Sequence, residues 1–263
     1  MTVDVSIIIV SFNARADLER CLGSLHASMP ARSREIIVVD NGSSDGSAEA
    51  AARGPGVKVV CHRDNLGFAR ATNAGIHVST GANLLLLNSD TVVPPGAIER
   101  LLEILDLHPD VAVVGPRLVD ATGKPELSFG RMIGPLNELR QKSKRQADVD
   151  RLTRQIQYPD WVSGACLLVR RADAYAAGLL DERYFMYTED VDFCAAIRAR
   201  GRKVLFTPRV QVVHLRGRSR RSAPRATEAA YRRSQIAFYE KHHPAWAPIL
   251  RLYLRFRGRS PDT

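Results

Sequence analysis

Aromatic residues are scarce, making up 6% of the 263 residues, too few to interleave with basic side chains as a nucleic-acid-binding sheet or groove requires. The cysteines are few and scattered: Cys21, Cys61, Cys166 and Cys194 show no CxxC spacing and lie in or beside expected strands and helices, which points to reduced thiols packed in a core. No apolar run approaches the roughly 18 residues that a membrane helix needs, and Met1 to Val10 carry no basic n-region, so a cytoplasmic protein is expected. Glycine signatures for phosphate are missing as well. No GxGxxG follows the first apolar run and no GxxxxGK[ST] occurs, so a dinucleotide cofactor or a P-loop is not supported.

What is present is ordinary globular material with an uneven charge. Hydrophobic residues make up 45% of the chain, enough for a sizeable core. Net charge is +10, and arginines crowd the C-terminal part from Arg198 onward, including Arg216, Arg218, Arg220, Arg221, Arg232, Arg233, Arg251, Arg255 and Arg257. Such a patch seeks phosphate, and the stretch "APILRLYLRFRGR" mixes apolar and basic residues as interfacial helices do. A C-terminal helix docked on the domain with a solvated basic face would look the same. Peripheral contact with an anionic membrane is expected, and no nucleic-acid partner.

Short β-rich runs alternate with helical patterns through the N-terminal half. "VSIIIVS", "EIIVVD", "VKVVC" and "NLLLLN" are expected strands, with helices near 15–28, 45–53, 68–78 and 95–107. Repeated βαβ units give a Rossmann-like, mostly parallel central sheet with helices on both faces. Between Leu118 and Asp160 the periodicity fades, which suggests a lid or acceptor loop. "WVSGACLLVRR" is expected as one strand, followed by a helix over about 189–200 and strands near 203–206 and 210–214. The expected organisation is an α/β domain over 1–222 and a basic, helical C-terminal extension over 223–263.

Polar clusters at the ends of these elements are the candidate site. "NLLLLN" is a strand buried on both faces that runs into Ser89 and Asp90, where open α/β sheets place ligands. Asp40 closes the second strand before "NGSSDGS", and Asn65 and Arg70 flank Gly67 at a helix start suited to anionic oxygen. In "TEDVDF", the acids Glu189, Asp190 and Asp192 share a first helical turn next to Tyr184, Phe185 and Tyr187, whose rings should desolvate at least one carboxylate and strengthen it as a base. His214 ends a late strand. Asp90 and His214 together, completed by diphosphate oxygens and water, would suit Mn²⁺ or Mg²⁺.

Seven stretches, "VSIIIVSFN", "IIVVDNGSSDGS", "NLGFARATNAGI", "LLLLNSDT", "WVSGACLLVRR", "DERYFMYTEDVDFCAAIRARG" and "HLRGRS", occur in the order and approximate spacing of inverting family 2 glycosyltransferases of the GT-A fold. Over roughly residues 3 to 243 the chain most resembles the rhamnosyltransferase-like members that build bacterial polysaccharides and cell-wall linkers. The resemblance implies that Ser11, Asn13 and Asp40 contact the nucleotide base and ribose, with Asn65 and Arg70 along the nucleotide and diphosphate. "NSD", Asn88 to Asp90, stands where the family places a DxD metal motif. Asp90 and His214 would then hold the cation with Ser89 beside the nucleotide, and Asn88 departs from the family's first Asp. Trp161 and Gly164 would shape the sugar and acceptor pocket, Asp190 would be the catalytic base, and Glu189 would lie beside it.

The implied activity is metal-dependent, inverting transfer of a sugar from a nucleoside-diphosphate donor, with dTDP-L-rhamnose the first choice. The implied acceptor is a hydroxyl of a glycan or a polyprenyl-diphosphate-linked glycan. The alternatives are a sugar-nucleotide nucleotidyltransferase, which would want a glycine-rich basic loop where "SFNARADLERC" has none, and a catalytically inactive relative that only binds nucleotide sugar.

Overall fold

A computed structural model describes residues 3–27, 32–134, 137, 145–215 and 224–257. The N-terminal half alternates β1 (Val5–Ser11), α1 (Arg15–His26), β2 (Arg34–Asn41), α2 (Ser47–Ala52), β3 (Val57–His62), α3 (Phe68–His77) and β4 (Asn83–Asn88). A two-residue β5 (Thr91–Val92), α4 (Ala97–Leu107) and β6 (Val111–Val119) follow. Next come β7 (Phe129–Gly130), α5 (Gln146–Leu152), β8 (Trp161–Val162), β9 (Cys166–Arg170), α6 (Arg171–Ala176), α7 (Glu189–Ala199) and β10 (Lys203–His214). The C-terminal part forms α8 (Pro224–His242), a 3-10 turn (Pro244–Trp246) and α9 (Ala247–Phe256).

Eight strands make the central sheet in the order β3-β2-β1-β4-β9-β6-β10-β5. β3, β2, β1 and β4 are mutually parallel, and β10 is parallel to β6. β9 runs antiparallel to β4 and β6, and β5 antiparallel to β10, so the sheet is mostly parallel. The leucine run of β4 shows why a central strand is apolar at every position. Leu85 and Leu87 pack with Leu18 of α1 and Leu101 of α4, whereas Leu84 and Leu86 pack with Phe193 and Ile197 of α7. Successive side chains alternate between the faces, and both faces are covered.

The structure departs from the expected elements in specific places. "WVSGACLLVRR" is two strands: β8 pairs with β7 in a small separate sheet and β9 enters the main one. The chain breaks between them because the amide of Ser163 donates to Ser128 O at 2.8 Å and that of Gly164 to Asp190 at 2.8 Å, both outside the main sheet. The two late strands are one, β10, whose pairing with β6 shifts register between Thr207 and Gln211, around Pro208. Within the aperiodic segment, α5 forms over Gln146–Leu152, while 138–144 lie outside the described residues. Cys21, Cys166 and Cys194 are buried free thiols as expected, but Cys61, on the edge strand β3, is exposed.

The expected boundary at 222/223 also lies outside the described residues, as do Arg216, Arg218, Arg220, Arg221, Gly217 and Ser219. Beyond it, α8 packs onto the main body. Phe238 and Tyr239 form a cluster with Tyr184, Val191 and Ala247. Buried Asp192 accepts from Tyr184 Oη at 3.2 Å and lies 2.8 Å from Lys241 Nζ and 2.6 Å from His242 Nε2. No helix among the described residues is long and apolar enough to cross a membrane.

Candidate active site

Parallel pairing sets Ser11 beside Asp40 and Val10 beside Asn88, so the polar ends of β1, β2 and β4 share the carboxyl edge of the sheet. Below the turn after β4, Thr91 Oγ1 donates to Asn88 O at 2.8 Å, and the buried Cys21 thiol lies 3.6 Å from that hydroxyl. Burial pushes this thiol up to about 12, so it stays protonated. β5 then pairs with the end of β10, Thr91 opposite His214, and Leu215 N donates to Asp90 O at 2.8 Å. These backbone contacts bring the two expected metal residues together: His214 Nε2 lies 3.2 Å from Asp90 Oδ1.

The other ring nitrogen, Nδ1, is 3.3 Å from Glu126 Oε2. Asn88 Nδ2 is 3.5 Å from Nε2. Burial pulls the imidazole pKa down, but hydrogen bonds and charge from Asp90 and Glu126 outweigh it and lift the pKa to about 9. Without a metal the ring is therefore cationic, and a divalent ion held by Asp90 and Nε2 would displace that proton. The side chains fit such an ion: one hard carboxylate, one imidazole, and a carboxylate behind the ring to fix its orientation. Among the described residues no group of three or more His, Cys, Asp or Glu side chains could hold a metal, so a cation here would need ligands from the substrate.

At the β1–β2 edge, two buried polar atoms lack partners: Ser11 Oγ and Asp40 Oδ1. Asp40 Oδ2 accepts from Ser43 N at 3.0 Å, leaving its other oxygen for a donor outside the protein. Asn13 holds a left-handed backbone (φ 48°) and accepts from Ser44 N at 2.8 Å, tying the β1 and β2 loops together. Asn65 accepts from Gly67 N at 3.0 Å and from Asn41 Nδ2 at 2.9 Å, so it braces the loop before α3. Arg70 forms a solvent-exposed ion pair, its Nε 3.0 Å from Glu182 Oε2. Ser89 sits partly buried in the turn between Asn88 and Asp90.

The acidic corner starts from strain. Tyr187 (φ 72°) and Thr188 (φ 65°) are consecutive left-handed residues, a costly conformation that concentrates at functional sites. They deliver Glu189 and Asp190 into the first turn of α7. Asp190 Oδ2 accepts from Gly164 N and Oδ1 from Val191 N, both at 2.8 Å. Burial raises the pKa of Asp190 against these two N–H bonds, making it a stronger base than a solvated carboxylate. Glu189 is buried with Oε2 unpartnered, and burial followed by the charge of Asp190 raises it too. The backbone donors favour charge on Asp190, so Glu189 is the member that keeps its proton.

The expected wall of aromatic rings is dispersed. Tyr184 serves Asp192, Phe185 closes on Gly67, and Tyr187 meets Tyr231 edge-on at 5.8 Å. Trp161 donates from Nε1 to Arg131 O at 2.9 Å and packs near Tyr184 and Val191. One backbone path joins the acidic and metal corners: Gly164, which holds Asp190, precedes Ala165, whose carbonyl accepts from Asn88 N at 3.0 Å.

Glu126 and Asn41 are the participants that the sequence did not signal. Glu126 stands in the aperiodic stretch with no motif around it, and Asn41 was masked by the turn sequence that follows it. Asn41 also donates to Gly67 O at 3.2 Å and accepts from Leu66 N at 3.0 Å.

Residues 6–173 match the model of the family described as Glycosyl transferase family 2. The chain is 30% identical, over 95% of its length and 89% of the relative's, to N-acetylglucosaminyl-diphospho-decaprenol L-rhamnosyltransferase of Mycobacterium tuberculosis. It is 25% identical to the low-salt glycan biosynthesis hexosyltransferase Agl10 of Haloferax volcanii, over 75% of this chain and 62% of that one. Among solved structures, the mannosyltransferase PcManGT of Pyrobaculum calidifontis, in complex with GDP-Man and Mn²⁺, superposes with a TM-score of 0.67 at 18% identity, covering 95% of this chain and 68% of that one. GalNAc-T7 with UDP, GalNAc and Mn²⁺ gives 0.62 at 18% identity, over 81% and 44% of the two chains. With a GT-A fold and a family match across most of its sheet, the chain belongs to glycosyltransferase family 2 and is a glycosyltransferase.

Proposed function

We propose that this enzyme transfers L-rhamnose from dTDP-L-rhamnose to a hydroxyl of a polyprenyl-diphosphate-linked N-acetylglucosamine, with inversion at the anomeric carbon. The observation that carries the proposal is the short backbone path from Asp190, through Gly164, Ala165 and Asn88, to Asp90 and His214. It links the loop that holds the Asp190 carboxylate to the strand end that leads into the Asp90–His214 pair. The donor and acceptor follow the name of the mycobacterial relative, which aligns over nearly the whole chain.

In this mechanism Asp190 takes the proton of the acceptor hydroxyl as that oxygen bonds to the anomeric carbon from the face opposite the diphosphate. The bond from the anomeric carbon to the diphosphate oxygen breaks with its electron pair, and dTDP leaves. Asp90 and His214 would hold Mn²⁺ or Mg²⁺, which when bound neutralises the leaving diphosphate. Because that group needs no proton to depart, one catalytic carboxylate suffices, unlike glycoside hydrolysis with its two. Ser11 and Asp40 offer their unpartnered oxygens to the nucleotide, and Asn13 and Asn65 hold the loops around it. Glu189, neutral, keeps a second negative charge from the reacting hydroxyl. Trp161 and Gly164 line the sugar and acceptor side, and transfer takes place at the cytoplasmic face of the membrane.

The test is transfer from dTDP-L-rhamnose to a short-chain polyprenyl-diphosphate N-acetylglucosamine, with product mass and anomeric configuration read by mass spectrometry and NMR. Product with the inverted configuration, lost in EDTA and restored by Mn²⁺ or Mg²⁺, is the expected result. A folded protein that binds dTDP yet transfers no sugar from any nucleotide donor would be an inactive relative, and retention of configuration would overturn the role of Asp190.

A further inference from the structure

Helix α9 turns an apolar face to both sides. Ala247 and Leu254 are buried on the main body, and Leu250 packs beside them against the cluster of Tyr184, Val191, Phe238 and Tyr239. At 100° per residue, the opposite side of the helix is formed by Ile249, Leu252 and Phe256, which are 56%, 58% and 84% exposed. Tyr253 and Trp246, each about half exposed, flank this stripe. A docked surface helix ordinarily presents its polar residues to water, and here the basic residues Arg251 and Arg255 stand at one edge of the stripe instead. No Asp or Glu occurs from Ala245 to Arg259.

Arg251 is engaged by Glu240 of α8, which leaves Arg255 and Arg257 as the open cations beside the stripe. We infer that the outward face of α9 is a docking surface for an anionic lipid bilayer, lying in its interface with Ile249, Leu252 and Phe256 inserted and Arg255 and Arg257 on the headgroups. Charge chooses this occupant. In a self-paired dimer the stripes would bring Arg255 and Arg257 of both copies together with no acid on either α9, and the one acid alongside, Glu240, is already taken by Arg251, so the like-charge contact opposes association. A surface of phosphate headgroups over hydrocarbon satisfies both parts of the helix, and apolar insertion plus electrostatic attraction is how interfacial helices hold. Trp246 and Tyr253 suit the boundary between the two layers.

The position of the helix adds a consequence for substrate. The inner face of α9 rests on the cluster that contains Val191, the residue after Asp190, and Trp161. A bilayer against the outer face therefore lies one helix away from the support of the proposed base. This deepens the proposed function, since it rests on an acceptor carried by a membrane lipid.

The experiment is co-sedimentation of the full chain, without donor or acceptor, with vesicles of phosphatidylglycerol and phosphatidylcholine or of phosphatidylcholine alone. Binding to the anionic vesicles at low salt, weakening as salt rises, is expected. The triple variant Ile249→Ser, Leu252→Ser, Phe256→Ser should lose that binding by about tenfold or more. It should keep its unfolding temperature and its turnover on a water-soluble acceptor analogue, because these side chains face away from the core. As a second measurement, lipids carrying a quencher in the upper acyl chain should quench Trp246 fluorescence in a Trp161→Phe background. Failure of the unaltered protein to bind anionic vesicles at low salt overturns the inference, and so does a triple variant that binds as well. An unaltered protein that is dimeric by light scattering and becomes monomeric in the triple variant assigns the face to a second copy and overturns it as well. Vesicle binding is read without catalysis, so a chain that binds vesicles but transfers no sugar leaves the membrane surface standing while the proposed reaction falls.

Discussion

Glu126 stands behind His214 at 3.3 Å, on the nitrogen opposite the one that faces Asp90. A carboxylate in that position fixes the orientation of the ring and raises its basicity as a ligand, and losing such a partner typically costs about 10- to 100-fold in metal affinity. Glu126→Ala is therefore expected to weaken Mn²⁺ binding to the dTDP complex by that order, read by electron paramagnetic resonance titration. Unchanged affinity in a folded variant would reduce Glu126 to a packing residue.

Asp190→Asn removes the proposed proton acceptor while keeping a side chain of the same shape beside Gly164. Turnover should fall by about 10²- to 10⁴-fold, the usual contribution of a positioned base. A rise in unfolding temperature on adding dTDP, expected from the proposed donor, should persist, since Ser11 and Asp40 lie on other strands. A variant with near-normal turnover would take Asp190 out of the mechanism.

The raised carboxyl of Glu189 has a consequence for stability with a definite sign. In the unfolded chain this group loses its proton near the ordinary value of about 4.3, whereas the folded chain retains it to higher pH. The folded state then binds more protons than the unfolded one, so this group's contribution to stability declines as pH rises above about 4. Glu189→Gln cannot ionise. Its unfolding temperature relative to the unaltered protein should increase from pH 4 toward pH 8, and a constant difference across that range would show that Glu189 is not protonated in the fold. The raised Asp190 should also set the acid limb of kcat/KM above the ordinary aspartate value of about 3.9.

Gly67 is a conformational requirement. Its backbone (φ 87°, ψ 166°) lies in a region essentially reserved for glycine, and an added Cβ would come within 2.5 Å of the Phe185 carbonyl. That carbonyl accepts from Phe68 N at 2.6 Å, joining the loop before α3 to the segment that leads into Glu189 and Asp190. Gly67→Ala should destabilise the protein by about 1–3 kcal/mol in urea unfolding. An effect within a few tenths would mean the two loops separate at little cost.

Much of this site was legible because local chemistry and global placement agree in the first half of the chain. Asn88 to Asp90 interrupt a leucine run, and Asp40 ends an apolar strand, so short continuous apolar runs ending on polar residues set both at the carboxyl edge of a parallel sheet. The approach of Asp90 to His214 was expected from their chemistry. The means, a two-residue strand pairing antiparallel with the end of β10, is too short to leave a pattern. Glu126 was invisible because its backbone is set by a tight reversal onto β6, Glu126 N donating to Leu118 O at 2.9 Å, while the residue that gives its side chain a role, His214, lies far along the chain. The aromatic run beside Asp190 misled because adjacent residues in an irregular segment point in different directions. Tyr184, Phe185 and Tyr187 consequently serve three separate contacts.

The two-residue β5 joins the main sheet through β10 alone. During synthesis, the strands that carry Ser11, Asp40 and Asn88 emerge first, and α1 can already hold β5 through Cys21 and Ser24, but the turn holding Asp90 gains its strand partner only when His214 has left the ribosome. The residues proposed to meet the nucleotide thus emerge early in translation, and the carboxylate–imidazole pair is completed late. A nascent chain stalled before β10 would carry Ser11, Asp40 and Asn88 on paired strands while Asp90 still lacked its imidazole partner.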